Sequence, residues 1–235
     1  MPIFVMSQRY KISRRTFLGL CLVPSTLSAS PLVKLHGGHG LFSAHTTIPQ
    51  DDNDQTKFGL FHDPEPELDP TYSWRLSVRK PAIINKTQNL ALLNSNTKET
   101  LRLKLKAGQK LSPYAQKKLN YLLRDWRINQ VKDLDEDILC SFFNVCGQFT
   151  DSQNFLRVNI HSGYRSHKTN NYLREQSNKV AKNSLHILGR AIDFSIPTKS
   201  SRQVAEIARD VTDGGVGHYT SFIHLDSGPK RDWRS

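Results

Sequence analysis

Ser184-Leu185-His186-Ile187-Leu188-Gly189-Arg190-Ala191-Ile192-Asp193-Phe194-Ser195-Ile196-Pro197 and, further along, Phe222-Ile223-His224-Leu225-Asp226 are the stretches whose reading decides the fold. In the first, Gly189 permits a sharp backbone turn after a loop bearing His186. Ala191, Ile192 and Phe194 then predict a short strand stopped by Pro197. In the second, Ser221 to Leu225 reads as a last strand leading to the C-terminus. If these strands are neighbours, His224 comes beside Asp193. Positions 224 and 226 share one face of any regular strand, so Asp226 points into the same cleft.

Upstream, Leu156, Val158 and Ile160 alternate with Arg157 and Asn159, a half-buried strand that ends at the turn Ser162-Gly163. Earlier still, Leu90-Ala91-Leu92-Leu93, the turn Asn94 to Thr97, and alternating Leu101, Leu103 and Leu105 predict a hairpin, with ordered structure starting near Asn89. Ser112-Pro113 opens a helix whose inner face carries Ala115, Leu119, Leu122 and Trp126. A second helix, from about Asp135 to Phe149, turns Ile138, Phe142, Val145 and Phe149 inward. After Pro197, Ser200 and Gln203 form a capping box, and Val204, Ile207, Ala208 and Val211 keep helical spacing until Gly214-Gly215. The pattern predicts an α+β architecture, with helices packed on a small antiparallel sheet.

The chain has 235 residues with 37% hydrophobic content and a mean hydropathy of -0.52. That is enough for one ordinary domain plus a leader and an extension, and it excludes a multi-pass membrane protein. A formal charge of +12 draws the molecule to polyanions. A nucleic-acid binder would group its basic residues with interleaved aromatics, whereas here they are scattered from Arg9 to Arg234, so nucleic acid is not the expected partner. Cys140 and Cys146 fall in one helix with Cα atoms about 9 Å apart, too far for a disulfide, and read as core thiols.

Arg9, Lys11, Arg14 and Arg15 precede the apolar run Phe17 to Val23 and the small residues Ser28-Ala29-Ser30, the three-part layout of an export signal. Ser13-Arg14-Arg15-Thr16-Phe17-Leu18 resembles the twin-arginine consensus, which implies export of an already folded protein to the periplasm. Residues 1–30 are thus the expected signal peptide, with no stable membrane insertion after its removal. From 31 to 87 the sequence lacks sustained periodicity and reads as a linker or loosely ordered extension. His36, His39 and His45 fall there, irregularly spaced and without acidic partners.

His186, Asp193 and His224 offer the two imidazoles and one carboxylate that a catalytic zinc takes while keeping a position for water. Arg165, just after a strand, lies where catalytic groups usually sit. Taken one by one, each of these residues is more often a satisfied hydrogen-bonding group than a ligand, Arg165 alone reads equally as a structural ion pair, and spacing does not choose.

The whole string does. Ser162-Gly163-Tyr164-Arg165-Ser166, Thr169-Asn170, Leu173-Arg174, Val180 to His186, Gly189-Arg190-Ala191-Ile192-Asp193, Gly214-Gly215-Val216-Gly217, Phe222 to Asp226, Arg231 and Trp233 resemble the MepK-type murein endopeptidases. Those belong with the D-Ala-D-Ala carboxypeptidases, VanX and hedgehog in one zinc-peptidase superfamily. The likeness runs from about residue 88, which implies a zinc peptidase domain over 88–235 with the hedgehog/D-Ala-D-Ala-peptidase-like fold.

The resemblance also implies that Zn2+ is held by His186, Asp193 and His224, with Arg165 facing the scissile carbonyl. Peptidoglycan stem peptides and cross-links are the implied substrate; a monomer is the separate expectation for assembly. Many relatives place a Glu or His two or three positions before the last zinc-binding His, where this chain has Ser221 and Phe222. Asp226 and His218 are therefore the candidates for proton transfer, Asp226 preferred by strand parity, with an orienting role as its alternative. The expected activity is cross-link cleavage; alternatives are a carboxypeptidase trimming stem peptides and a peptidoglycan-binding module without turnover.

Overall fold

The computed structural model describes residues 65–68, 82–151 and 153–234. The expected signal peptide and His36, His39 and His45 lie outside the described residues. Contacts divide the chain into Met1–Ala44 and His45–Ser235, and every described residue belongs to the second unit. Among the described residues no helix is long and apolar enough to cross a membrane.

Strands β1 (Gln88–Asn94) and β2 (Thr100–Leu105) form the expected hairpin. Its turn is held by Asn94, whose Oδ1 accepts from the N–H groups of Asn96 and Thr97 at 2.9 and 3.1 Å. Helix α1 (Pro113–Leu122) starts where Ser112 accepts from Ala115 N, with proline in the first turn. It stops before Trp126, which the helical spacing places on its inner face. Arg124 is drawn out of helical continuation by Glu99 at 2.7 Å, and Asp125 pairs with Gln130, so the chain turns away and Trp126 lines a cleft instead.

Helix α2 (Glu136–Phe149) is capped by Asp135 and buries Ile138, Phe142 and Val145, with Phe149 at the core's edge. Strand β3 (Leu156–Ser162) follows, then α3 (His167–Gln176), a helix with no counterpart in the sequence reading. Its buried face is Thr169, Asn170 and Leu173, so it leaves no apolar period to read. A 3-10 turn (Leu185–Leu188) leads into β4 (Ala191–Ser195). Helix α4 (Ser201–Val211) has the capping box of Ser200 and Gln203. Three short strands complete the fold: β5 (Gly215–His218), β6 (Ile223–Asp226) and β7 (Arg231–Arg234).

The sheet runs β2-β1-β3-β4-β6-β5-β7, so the architecture is α+β as expected. It is mixed rather than purely antiparallel, because β3 runs parallel to β1 and β7 parallel to β5. The long path through α1 and α2 gives the chain room to return in the same direction. Beyond β6, residues 227–230 carry the chain past β5 to the far edge, so β7 and not β6 is the terminal strand. β5 and β7 escape a pattern reading because one is glycine-rich and the other, Arg231-Asp232-Trp233-Arg234, is charged apart from its tryptophan.

One face of the sheet meets α2 and α4. Phe142, Phe143 and Phe194 are fully buried there, the Phe142 and Phe194 rings edge to face at 5.0 Å. Each such ring contributes roughly 1.5–3 kcal/mol by leaving water. The core takes in Ala82 and Ile84. Cys140 and Cys146 are free thiols, and burial pushes the fully enclosed Cys146 well above its ordinary value.

Candidate active site

On the sheet face opposite that core, β4 and β6 pair so that Asp193 lies directly across from His224 and Ala191 across from Asp226. Directly paired residues point to the same side. His186 arrives from the 3-10 turn, whose first N–H groups are capped by Ser184 and which ends at Gly189 with φ 70°. That left-handed conformation suits glycine, and a Cβ there would press to 3.2 Å from the Asp133 carbonyl oxygen. The donor atoms of His186, Asp193 and His224 all lie within 4.8 Å of one another, and all three residues are buried.

Hydrogen bonds fix both rings. His186 Nδ1 lies 2.7 Å from the Gly163 carbonyl oxygen, which only accepts, so Nδ1 carries the hydrogen and Nε2 faces Asp193 Oδ2 at 3.2 Å. His224 is turned the other way: Nε2 donates to Asp226 Oδ2 at 3.1 Å and Nδ1 meets Asp193 Oδ1 at 2.8 Å. Burial alone would push the His224 imidazole down, but its hydrogen bonds to Asp193 and Asp226 outweigh that and lift it to about 10. Burial also opposes charge on Asp193, yet His186 and then His224 hold this carboxyl far below the ordinary carboxylate range. A proton on His224 thus sits between carboxylates where a divalent cation would release it and satisfy two nitrogens and an oxygen. The donor set fits zinc in number, type and burial.

Asp226 is buried against this triad with its oxygens engaged. Oδ1 accepts from Gly215 N, Gly228 N and Arg231 Nη1, while Oδ2 holds His224 and lies 2.8 Å from Arg231 Nη2. Burial opposes its charge, but His224 and then Arg231 keep the carboxyl below its ordinary value. The glycines around it serve this packing. A Cβ on Gly215 would stand 2.3 Å from Asp226 Oδ2, and one on Gly217 would stand 2.6 Å from the Trp233 indole, which packs 5.3 Å from the His224 ring. Gly214-Gly215 therefore serves this packing and does not end the helix as expected, since α4 stops at Val211 with Thr212 as its cap.

Beside the triad opens a cleft lined by Asn94, Trp126, Arg127, His161, Arg165 and Asp193. Arg165 is tied to the His186 turn, its backbone N–H donating to the His186 carbonyl oxygen at 3.1 Å. Its guanidinium donates to Asn170 Oδ1, whose amide in turn donates to the Ala181 carbonyl oxygen. Arg127 and His161 are cleft residues that motif reading does not single out. Burial, then the nearby Arg165 charge, pulls the Arg127 guanidinium down to about 10, so it stays protonated at neutral pH. His161 reaches the cleft through the register shift between Ile160 and Ser162, and its Nε2 lies 2.9 Å from Ser195 Oγ. Burial holds its imidazole below the ordinary 6.5 despite the charge of Asp193.

His218 does not join the site. It pairs with Ile223 on β6, one position out of phase with His224, so it faces the α4 side, where Nε2 lies 3.2 Å from Ser201 Oγ. The alternation that brings Asp226 beside His224 is the same one that sends His218 to the other face.

The family profile described as "Peptidoglycan L,D-endopeptidase MepK" matches residues 82–233, more than half the chain. A Haemophilus influenzae protein named "Probable peptidoglycan L,D-endopeptidase MepK" is 40% identical over 161 residues, covering 68% of this chain and 82% of that protein. The Escherichia coli K12 protein named "Peptidoglycan L,D-endopeptidase MepK" is 34% identical over 160 residues, covering 67% of this chain and 83% of its own. The Shigella flexneri protein of the same name matches at the same identity and coverage. No solved structure matches the chain significantly. With the profile spanning the whole sheet and the buried triad, the chain belongs to the family described as peptidoglycan L,D-endopeptidase MepK and is a metallopeptidase.

Proposed function

We propose that this chain is an exported, zinc-dependent endopeptidase that cleaves peptide cross-links of peptidoglycan. The convergence of His186, Asp193 and His224 carries the reading, supported by the names of its relatives. His186 Nε2, an Asp193 oxygen and His224 Nδ1 would hold the metal. Zinc bound there supplies Lewis acidity toward a carbonyl oxygen and toward water. Arg165 provides a fixed cation for the negative charge that develops on the scissile carbonyl oxygen, and Arg127 adds to the positive field of the cleft. Both suit a polymer whose stem peptides carry free carboxylates.

Asp226 acts through His224. With its oxygens committed to two backbone N–H groups, His224 and Arg231, it fixes the His224 tautomer and balances charge rather than meeting substrate. His161 is the better-placed proton carrier: neutral near pH 7, and in the cleft with Arg165 and Asp193. Residues 1–30 serve as a twin-arginine-type signal that delivers the folded domain to the periplasm, and N-terminal sequencing of the exported protein checks it.

Incubation with purified cross-linked muropeptide dimers tests the activity. An endopeptidase yields monomers; a carboxypeptidase would release terminal D-alanine and leave dimers joined; a binding module would retain dimers uncut.

A further inference from the structure

We propose that Glu65 and Glu67 are positioning residues for the His186 turn, forming a strap that clamps the segment 179–184 from outside the region matched by the family profile. The profile match begins at residue 82, so these two carboxylates lie outside it. Glu67 accepts from the consecutive backbone N–H groups of Lys182 and Asn183, one through each carboxylate oxygen. Glu65 donates its own N–H to the Lys179 carbonyl oxygen at 3.3 Å, and its Oε1 accepts from Ser184 Oγ at 3.0 Å. Leu68, 5% exposed, closes the strap against Leu185 and Ala191.

The contact reaches the site through one side chain. Ser184 gives its hydroxyl hydrogen to Glu65, which leaves the same oxygen to accept the N–H of His186 at 3.3 Å. The His186 carbonyl oxygen then accepts from Arg165 N, so the cap of this turn sets both a proposed metal ligand and the cation of the cleft. A four-residue 3-10 turn has poor internal hydrogen bonding and needs such outside support. Segment 177–184 before it contains no helix or strand, and charged acceptors on successive N–H groups are among the stronger ways to order such backbone.

The consequence for metal rests on the zinc reading; the ordering of the turn does not. Amide hydrogen exchange of the metal-free full chain measures the second, and zinc affinity by chelator competition measures the first. In a Glu65→Ala/Glu67→Ala variant, exchange across 182–189 should rise about tenfold with β3 unchanged, and zinc affinity should fall about tenfold. Glu65→Gln/Glu67→Gln should recover only part of both, since each amide keeps one accepting oxygen while position 67 loses its second acceptor and its charge, and Glu206→Ala on the exposed face of α4 should change neither. If the double alanine variant is too unstable to purify, Glu65→Ala alone carries the test. Exchange at 182–189 that stays at the wild-type rate overturns the strap, even with zinc bound tightly. A wild type that binds no zinc, with the exchange difference present, retains the strap and removes only the metal reading.

Discussion

Strands β4 and β6 present two surfaces built from alternating residues of the same short segments. Ile192, Phe194, Ile223 and Leu225 lie wholly within the helix-covered core, whereas Ala191, Asp193, His224 and Asp226 occupy the other face. A slip of one residue in this pairing would exchange the two sets. The apolar face therefore fixes the register that puts Asp193 across from His224, so the geometry of the triad follows from ordinary core packing. The polar face depends on the core in this way, while the core depends little on which charges the polar face carries.

That asymmetry can be broken from either side. The largest expected effect on chemistry is Asp193→Asn, which keeps the shape of the side chain and removes its charge. Zinc content and dimer cleavage should both drop to background while far-UV circular dichroism keeps the wild-type form. On the opposite face, Phe194→Ala should cost about 3–5 kcal/mol in denaturant unfolding, with the specific activity of the folded fraction largely kept. A Phe194 variant that is stable but inactive, or an Asp193 variant that unfolds, would reverse the dependence.

A smaller effect separates the triad from its support. Asp226→Asn should weaken zinc binding about 10- to 100-fold, as losing the carboxylate behind a ligating histidine does, with turnover restored at saturating zinc. Loss of turnover at full zinc occupancy would instead make Asp226 the proton carrier. The mildest prediction concerns pH. In the proposed role the neutral form of His161 accepts the proton, and burial holds its pKa below 6.5, so activity should fall as acid protonates it, along a limb below pH 6.5. His161→Ala should abolish that limb in the pH profile of kcat/KM; a limb of unchanged position would exclude the residue.

The two faces also differ in how legible they are in the sequence. Apolar alternation in 156–160 and 191–194 and helical spacing in α2 and α4 announce themselves, because burial selects residue type at each position. The triad of His186, Asp193 and His224 is visible as residue types and as part of a long family likeness, yet spacing alone does not say that β4 and β6 are neighbours. Arg127 and His161 carry no motif: one sits in the turn after α1, where helical periodicity runs on past the real end, and the other is re-aimed by a register shift. His218 shows the converse, a residue of the right type on the wrong side of a strand that was too short and too glycine-rich to read. β7 is legible only through its partners, since Gly217 has to be small for Trp233 to lie over it.

Anomalous diffraction at the zinc edge, on crystals of the exported form whose dimer cleavage has been confirmed, tests the central claim most directly. The account predicts one peak about 2.0–2.2 Å from His186 Nε2, an Asp193 carboxylate oxygen and His224 Nδ1. A peak at any other group of side chains, or none in protein that still cleaves dimers, would contradict it.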